Sequence, residues 1–192
     1  MRLGFLASNN GSGMRAVVAA IEAGDLDATA CLVVSNRREA PALAFAREHG
    51  LATAFIPTVP DADAADRRLA DALSAANVDW VLLAGYLRKL GPVTLAAFRD
   101  RILNIHPSLL PKFGGQGMYG RRVHEAVIAS GEPISGASVH LVDEEYDHGA
   151  VLAQMRVPVM ADDTAESLEK RVMAAEPGLY LELLKQIRER VR

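Results

Sequence analysis

Asn104 and His106 stand two residues apart in the run Asn104-Ile105-His106-Pro107-Ser108-Leu109-Leu110-Pro111. On an extended backbone, residues i and i+2 share a face, so an amide and an imidazole point the same way. That pairing suits a reaction that builds negative charge on a carbonyl oxygen. The amide N–H donates a hydrogen bond to the oxyanion, and the ring donates another or transfers a proton. Pro107 restricts His106 toward extended angles and Pro111 limits the far end of the turn, a restraint that keeps reacting groups aligned. The competing reading is a plain loop, with Asn104 capping backbone groups and His106 packed against proline.

Two further patches could join them. Asp143-Glu144-Glu145-Tyr146-Asp147-His148-Gly149 is either a solvated acidic turn or the source of a carboxylate that orients His106 or relays protons through water. Its spacing matches no strong metal-ligand motif, so no metal is expected. Asn9-Asn10-Gly11-Ser12-Gly13 falls between an apolar strand and a helical pattern. Its glycines permit a tight turn, and a helix start offers unpaired N–H groups to an anion such as a phosphate. The loop lacks both the dinucleotide fingerprint and a Walker lysine, so a monophosphate fits better than a triphosphate; an ordinary strand–helix turn is the alternative. His140 lies near the end of a strand leading to the acidic loop and is a candidate for supporting the reacting groups from behind. His49 and His124 are expected on the surface or in satisfied packing.

These groups need a scaffold. At 192 residues, half of them hydrophobic and 23% charged, the chain can bury a sizeable core as one domain, 1–192. A net charge of -3 argues against a nucleic-acid partner bound through the whole surface, and small-molecule substrates are expected instead. Cys31 is the single cysteine, expected inside a strand; no intrachain disulfide can form, which suits a reducing compartment. No run reaches the roughly twenty apolar residues that cross a membrane. A cytoplasmic protein is the simplest expectation.

Strands are expected at 3–7, 30–34, 52–56, 80–84 and 102–104, with helical patterns at 14–21, 41–48 and 64–75 between them. Trp80 to Ala84 is apolar on both faces, as in a central strand covered on both sides. The repetition favours an α/β fold: a Rossmann-like, open, mostly parallel twisted sheet with helices on both faces. The second half differs. A glycine-rich loop over 112–120, a short helix, and strands at 137–142 and 151–158 predict antiparallel strands in the C-terminal half. Thr164 is expected to cap the last helix without its usual Glu or Gln partner, and Pro177 to interrupt that helix.

Four motifs together resemble the phosphoribosylglycinamide formyltransferase family of folate-dependent enzymes. They are Asn10-Gly11-Ser12, Leu83-Ala84-Gly85-Tyr86-Leu87-Arg88, the 104–111 run, and Gly136-Ala137-Ser138-Val139-His140 running into Asp147. The resemblance implies catalysis by Asn104, His106 and Asp147, and a substrate phosphate on Asn10, Gly11, Ser12 and Gly13. It implies that Glu176 meets the substrate amine. Arg88 and Leu90, with Asn104 and Asp147, would receive 10-formyltetrahydrofolate, the formyl-donor cosubstrate. A monomer or homodimer is implied, with no membrane partner. Family members often carry glycine and asparagine where this loop has Asn9 and Gly13, and the 59–66 segment lacks their usual serine-arginine-glutamate pattern. The expected reaction is formyl transfer to 5-phosphoribosylglycinamide in purine biosynthesis. The alternatives are 10-formyltetrahydrofolate hydrolase, expected with an added amino-terminal regulatory domain, and methionyl-transfer-RNA formyltransferase, expected with a carboxy-terminal RNA-binding domain. A noncatalytic folate- or nucleotide-binding protein is the reading from a different class.

Overall fold

A computed structural model describes residues 1–190. They form two compact units, Met1–Leu103 and the chain from Asn104 onward.

In the first unit, β1 (Arg2–Leu6), β2 (Thr29–Ser35), β3 (Ala52–Phe55) and β4 (Trp80–Leu83) alternate with α1 (Ser12–Glu22), α2 (Pro41–Glu48), α3 (Ala62–Ala75) and α4 (Pro92–Ala97). The strands lie in the order β3-β2-β1-β4, and each neighbouring pair is parallel. β1 and β4 are buried along nearly their whole length because helices cover both faces. Leu3, Phe5, Leu6, Val33, Val34, Val81 and Leu82 form this core. Pro41 opens α2, where its missing N–H costs nothing. Asp61 caps α3 by accepting from the Ala64 N–H at 2.9 Å.

α4 was not expected from the sequence, because its six residues are too few for a periodic signal. What holds it is a contact distant in sequence. The buried Asp66 carboxylate on α3 accepts from the Val93 and Thr94 N–H groups at 2.8 and 3.1 Å, satisfying the helix start. Cys31 does lie on β2, yet it is only half-buried, its thiol facing the Thr29 carbonyl at 3.4 Å.

β5 (Ile102–His106) ends inside the second unit, which adds α5 (Arg121–Ser130), β6 (Ile134–Leu141), β7 (Val151–Pro158) and α6 (Ala165–Arg190). β6 and β7 are antiparallel, with a register shift between Val139 and His140. Such a bulge re-aims the side chain beside it, here His140. The fold is thus α/β, mostly parallel, with antiparallel strands toward the C-terminus.

Pro177 does not interrupt the last helix: α6 runs unbroken through it for 26 residues. Proline removes one i→i−4 hydrogen bond, but Leu168, Val172, Leu179, Tyr180, Leu183 and Leu184 are buried on both sides of it. Burial of that apolar stripe outweighs one lost bond. The cap of α6 is also reciprocal after all. Ser167 N–H donates to Thr164 Oγ1 at 3.2 Å, and Thr164 N–H donates back to Ser167 Oγ at 2.9 Å. Serine thus fills the place usually held by Glu or Gln. No helix among the described residues is long and apolar enough to cross a membrane.

Candidate active site

β5 carries Asn104 and His106 on alternate positions, as an extended strand requires. The register shift at Val139/His140 turns His140 toward Asn104, with Nδ2 of the amide 3.1 Å from Nε2 of the ring. Nδ1 of His140 donates to the Leu141 carbonyl at 2.8 Å. A neutral ring that protonates Nδ1 leaves Nε2 bare, so His140 accepts from Asn104 and fixes the amide's orientation.

Asp147 completes the cluster from the turn after β6. Its φ of 56° lies in the left-handed region, which Asp tolerates better than most residues. Oδ2 accepts from the Gly115 N–H at 3.0 Å and lies 3.3 Å from His106 Nδ1, while Oδ1 lies 3.4 Å from His140 Nε2. Burial alone would raise the Asp147 pKa. The hydrogen bond to His140, the His106 charge and the Gly115 N–H outweigh it, and the carboxyl is held below the usual range. Asp147 is therefore an anion at neutral pH.

His106 is buried, with Nε2 donating to the Phe113 carbonyl at 2.8 Å. Burial is the largest influence on the ring and lowers its pKa, against the opposing pull of Asp147 and the Phe113 carbonyl. An acceptor faces each ring nitrogen, and a neutral imidazole can satisfy only one of them. The ring is neutral at rest yet prepared on both edges to hold a second proton, the property required of a proton carrier.

Glu176 lies on α6, and burial pushes its carboxyl up to about 7. One turn on, the buried Tyr180 meets the Glu176 charge, and its phenolic oxygen accepts from the Ile105 backbone between Asn104 and His106. This link from α6 to β5 was not legible in the sequence, where Tyr180 is one more apolar position of a helix. The contacts of Phe113 and Gly115 with His106 and Asp147 were missed too, because both act through backbone atoms. Ser12 begins α1, and Gly11 caps it with φ 64°, a left-handed angle suited to glycine. No side chain caps the first turn of α1, so Asn10, Gly11, Ser12 and Gly13 form an uncapped helix start in the first unit. Arg88 and Leu90 line a cavity of about 230 Å³ with Tyr86 and Asp66. The structure thus joins Asn104, His106, His140 and Asp147 in one network within the second unit.

His49 behaves as expected, with Nδ1 2.7 Å from Glu22 Oε1 and its ring against Phe45. His124 does not: it is buried on α5, and its Nδ1 meets no hydrogen-bond partner among the described residues. Nor is any group of three or more His, Cys, Asp or Glu side chains arranged to hold a metal ion among those residues.

The sequence pattern of the family described as "Formyl transferase" matches residues 1–184. The chain is 43% identical over 190 residues to the chloroplastic phosphoribosylglycinamide formyltransferase of Vigna unguiculata, covering 98% of this chain and 61% of that protein. It spans less than two thirds of that relative's length. With the phosphoribosylglycinamide formyltransferase of Escherichia coli K12 it shares 36% identity over 182 residues, covering 94% of this chain and 84% of the relative. The crystal structure of glycinamide ribonucleotide transformylase 1 from Symbiobacterium toebii superimposes with a TM-score of 0.91 at 35% identity, covering 98% of this chain and 88% of that one. With an oriented amide, an imidazole and a carboxylate in contact behind that likeness, the chain belongs to the formyl transferase family.

Proposed function

We propose that this chain transfers the formyl group of 10-formyltetrahydrofolate to the amine of 5-phosphoribosylglycinamide, a step of purine biosynthesis. The observation that carries the reading is the network Asn104–His140–Asp147–His106, in which an amide donor and a proton-carrying ring are held by one carboxylate. The amine nitrogen attacks the formyl carbon, and the carbonyl electron pair moves onto oxygen. Asn104 donates to that oxyanion through its second amide N–H, and His106 stabilises or protonates it. Asp147 holds the imidazolium and passes protons through water. The intermediate collapses by breaking the bond between the formyl carbon and the folate nitrogen, releasing tetrahydrofolate. Glu176, with a carboxyl pushed up to about 7, holds the attacking amine and is poised to exchange its proton. The uncapped start of α1 takes the phosphate, and Arg88 and Leu90 lie on the folate side. Residues 1–192 act as one formyltransferase domain, in the cytoplasm, as a monomer or homodimer.

The test supplies both substrates and follows folate absorbance alongside product mass. Formylated ribotide is expected; formate released without amine acceptor would favour the hydrolase instead. Asn104→Ala and His106→Ala, each checked for native folding, should lose turnover by roughly a hundredfold, the usual cost of one oxyanion donor. Near-native turnover in both variants would reject the assignment.

A further inference from the structure

A cavity of about 490 Å³ opens in the first unit at the carboxyl ends of all four of its parallel strands. Ser8 contributes from the end of β1, Asn36 and Arg37 from β2, Thr58 from β3, and Leu87 and Arg88 from β4. The chain reverses its direction of winding between β1 and β4, the position at which open α/β sheets bind ligands. The frame is fixed in advance. Buried Ser8 donates its hydroxyl to Asn36 Oδ1 at 2.6 Å and accepts from the Leu87 N–H at 2.8 Å, tying three of the four loops together.

Charge defines what such a frame would hold. Arg37 and Arg88 both line the cavity, and no carboxylate does. Arg37 is positioned from both ends: its backbone N–H donates to Ser35 Oγ at 3.1 Å, and its guanidinium Nη1 donates to Asn9 Oδ1. Asn9 thus directs an arginine, whose remaining N–H donors can serve a planar acidic group. The walls are not wholly polar, since Leu87 and Val59 lie 58% and 69% exposed. A free phosphate makes no use of those apolar walls, and the volume falls in the ~300–1,000 Å³ range of small-molecule sites. An acidic group carried on a partly apolar chain matches both features.

We propose that this cavity is a subsite for the acidic glutamyl tail of the folate donor, with Arg37, held in place by Asn9, as its specificity-determining residue. The proposal rests on the formyl-transfer reading for the identity of the donor. The shared chemistry is a carboxylate or phosphate oxyanion, so the ribotide phosphate is the rival source.

Calorimetry in the absence of acceptor, using 5-formyltetrahydrofolate analogues with no, one and three glutamates, separates these cases. Wild-type affinity should rise with the number of glutamates. Arg37→Gln should abolish most of that rise, a loss of about five- to tenfold for the triglutamate, as expected for one partly exposed charge-assisted contact. Asn9→Gly should lose part of the same preference and add little to Arg37→Gln in the double variant. Arg38→Gln makes the same change of charge outside the cavity and should leave the preference intact. Equal affinities for all three analogues in the wild type, or a preference that survives Arg37→Gln, would overturn the proposal. So would an Arg37→Gln variant that raises the KM for 5-phosphoribosylglycinamide while sparing folate binding. If Arg37-dependent folate binding is found but wild-type protein forms no formylated ribotide, the subsite stands and the formyl-transfer reading falls.

Discussion

Asp147→Asn isolates the charge of the carboxylate from its shape. Asparagine tolerates the left-handed φ of 56° at this position. Its side-chain oxygen can still accept the Gly115 N–H now held at 3.0 Å. What disappears is the negative charge 3.3 Å from His106 Nδ1. At that distance two unit charges attract by about 5 kcal/mol at an effective dielectric of 20, and by about 1.3 kcal/mol in bulk water. The two side chains are 10% and 4% exposed, so an intermediate value of about 2.5 kcal/mol applies. An imidazolium in the transition state would lose that support, which corresponds to a rate about seventyfold lower. The pH profile gives a second, independent readout. Burial already depresses the His106 pKa, and Asp147 is the leading influence opposing it; without that charge, the limb of the profile set by His106 moves to lower pH. Steady-state turnover followed by folate absorbance between pH 5 and 9 measures both effects. Turnover within threefold of wild type, with an unmoved limb, would refute the role given to the carboxylate.

Glu176 keeps a proton up to about pH 7 in the folded chain, against 4.5 for the ordinary group. The folded state therefore loses stability as pH rises from 4.5 to 7. Glu176→Gln should be more stable than wild type at pH 8 in urea titrations while raising the KM for the ribotide, and equal midpoints at pH 8 would contradict the burial argument. His124 has a pKa lowered from 6.5, chiefly by burial, so the unfolded chain binds protons that the folded chain refuses, and stability falls as pH drops below 6.5. His124→Leu should flatten that acid-side slope in thermal melts from pH 5 to 8, and an unchanged slope would count against it. A methyl group on Gly91 would run into Asp66 Oδ2, displacing the carboxylate that caps α4. Gly91→Ala should cost about 2 kcal/mol in chemical denaturation, and a wild-type midpoint would show that the cap yields easily.

The strands and long helices of the first unit were legible because burial on two faces writes continuous apolar runs, as in Leu3 to Ala7 and Trp80 to Ala84. Asn104 and His106 were legible for a related reason: strand periodicity alone places them on one face. The features that escaped depend on partners remote in sequence. α4 rests on Asp66, 27 residues before Val93. His140 is turned by a shift in strand register that no local residue announces. Proline's rule for helices failed at Pro177 because the rule counts one backbone bond, whereas α6 is held by the apolar stripe on either side of it.

The bond from His106 to the Phe113 carbonyl has a consequence for selectivity. While that carbonyl occupies Nε2, the ring's proton is engaged within its own chain and cannot promote attack by a stray water on a bound donor. Exchanging one oxygen acceptor for another is nearly neutral in energy, so a correctly seated formyl oxygen can displace the peptide at little cost. The resting protein is guarded against squandering its donor, and the guard yields to a substrate that offers a better oxygen.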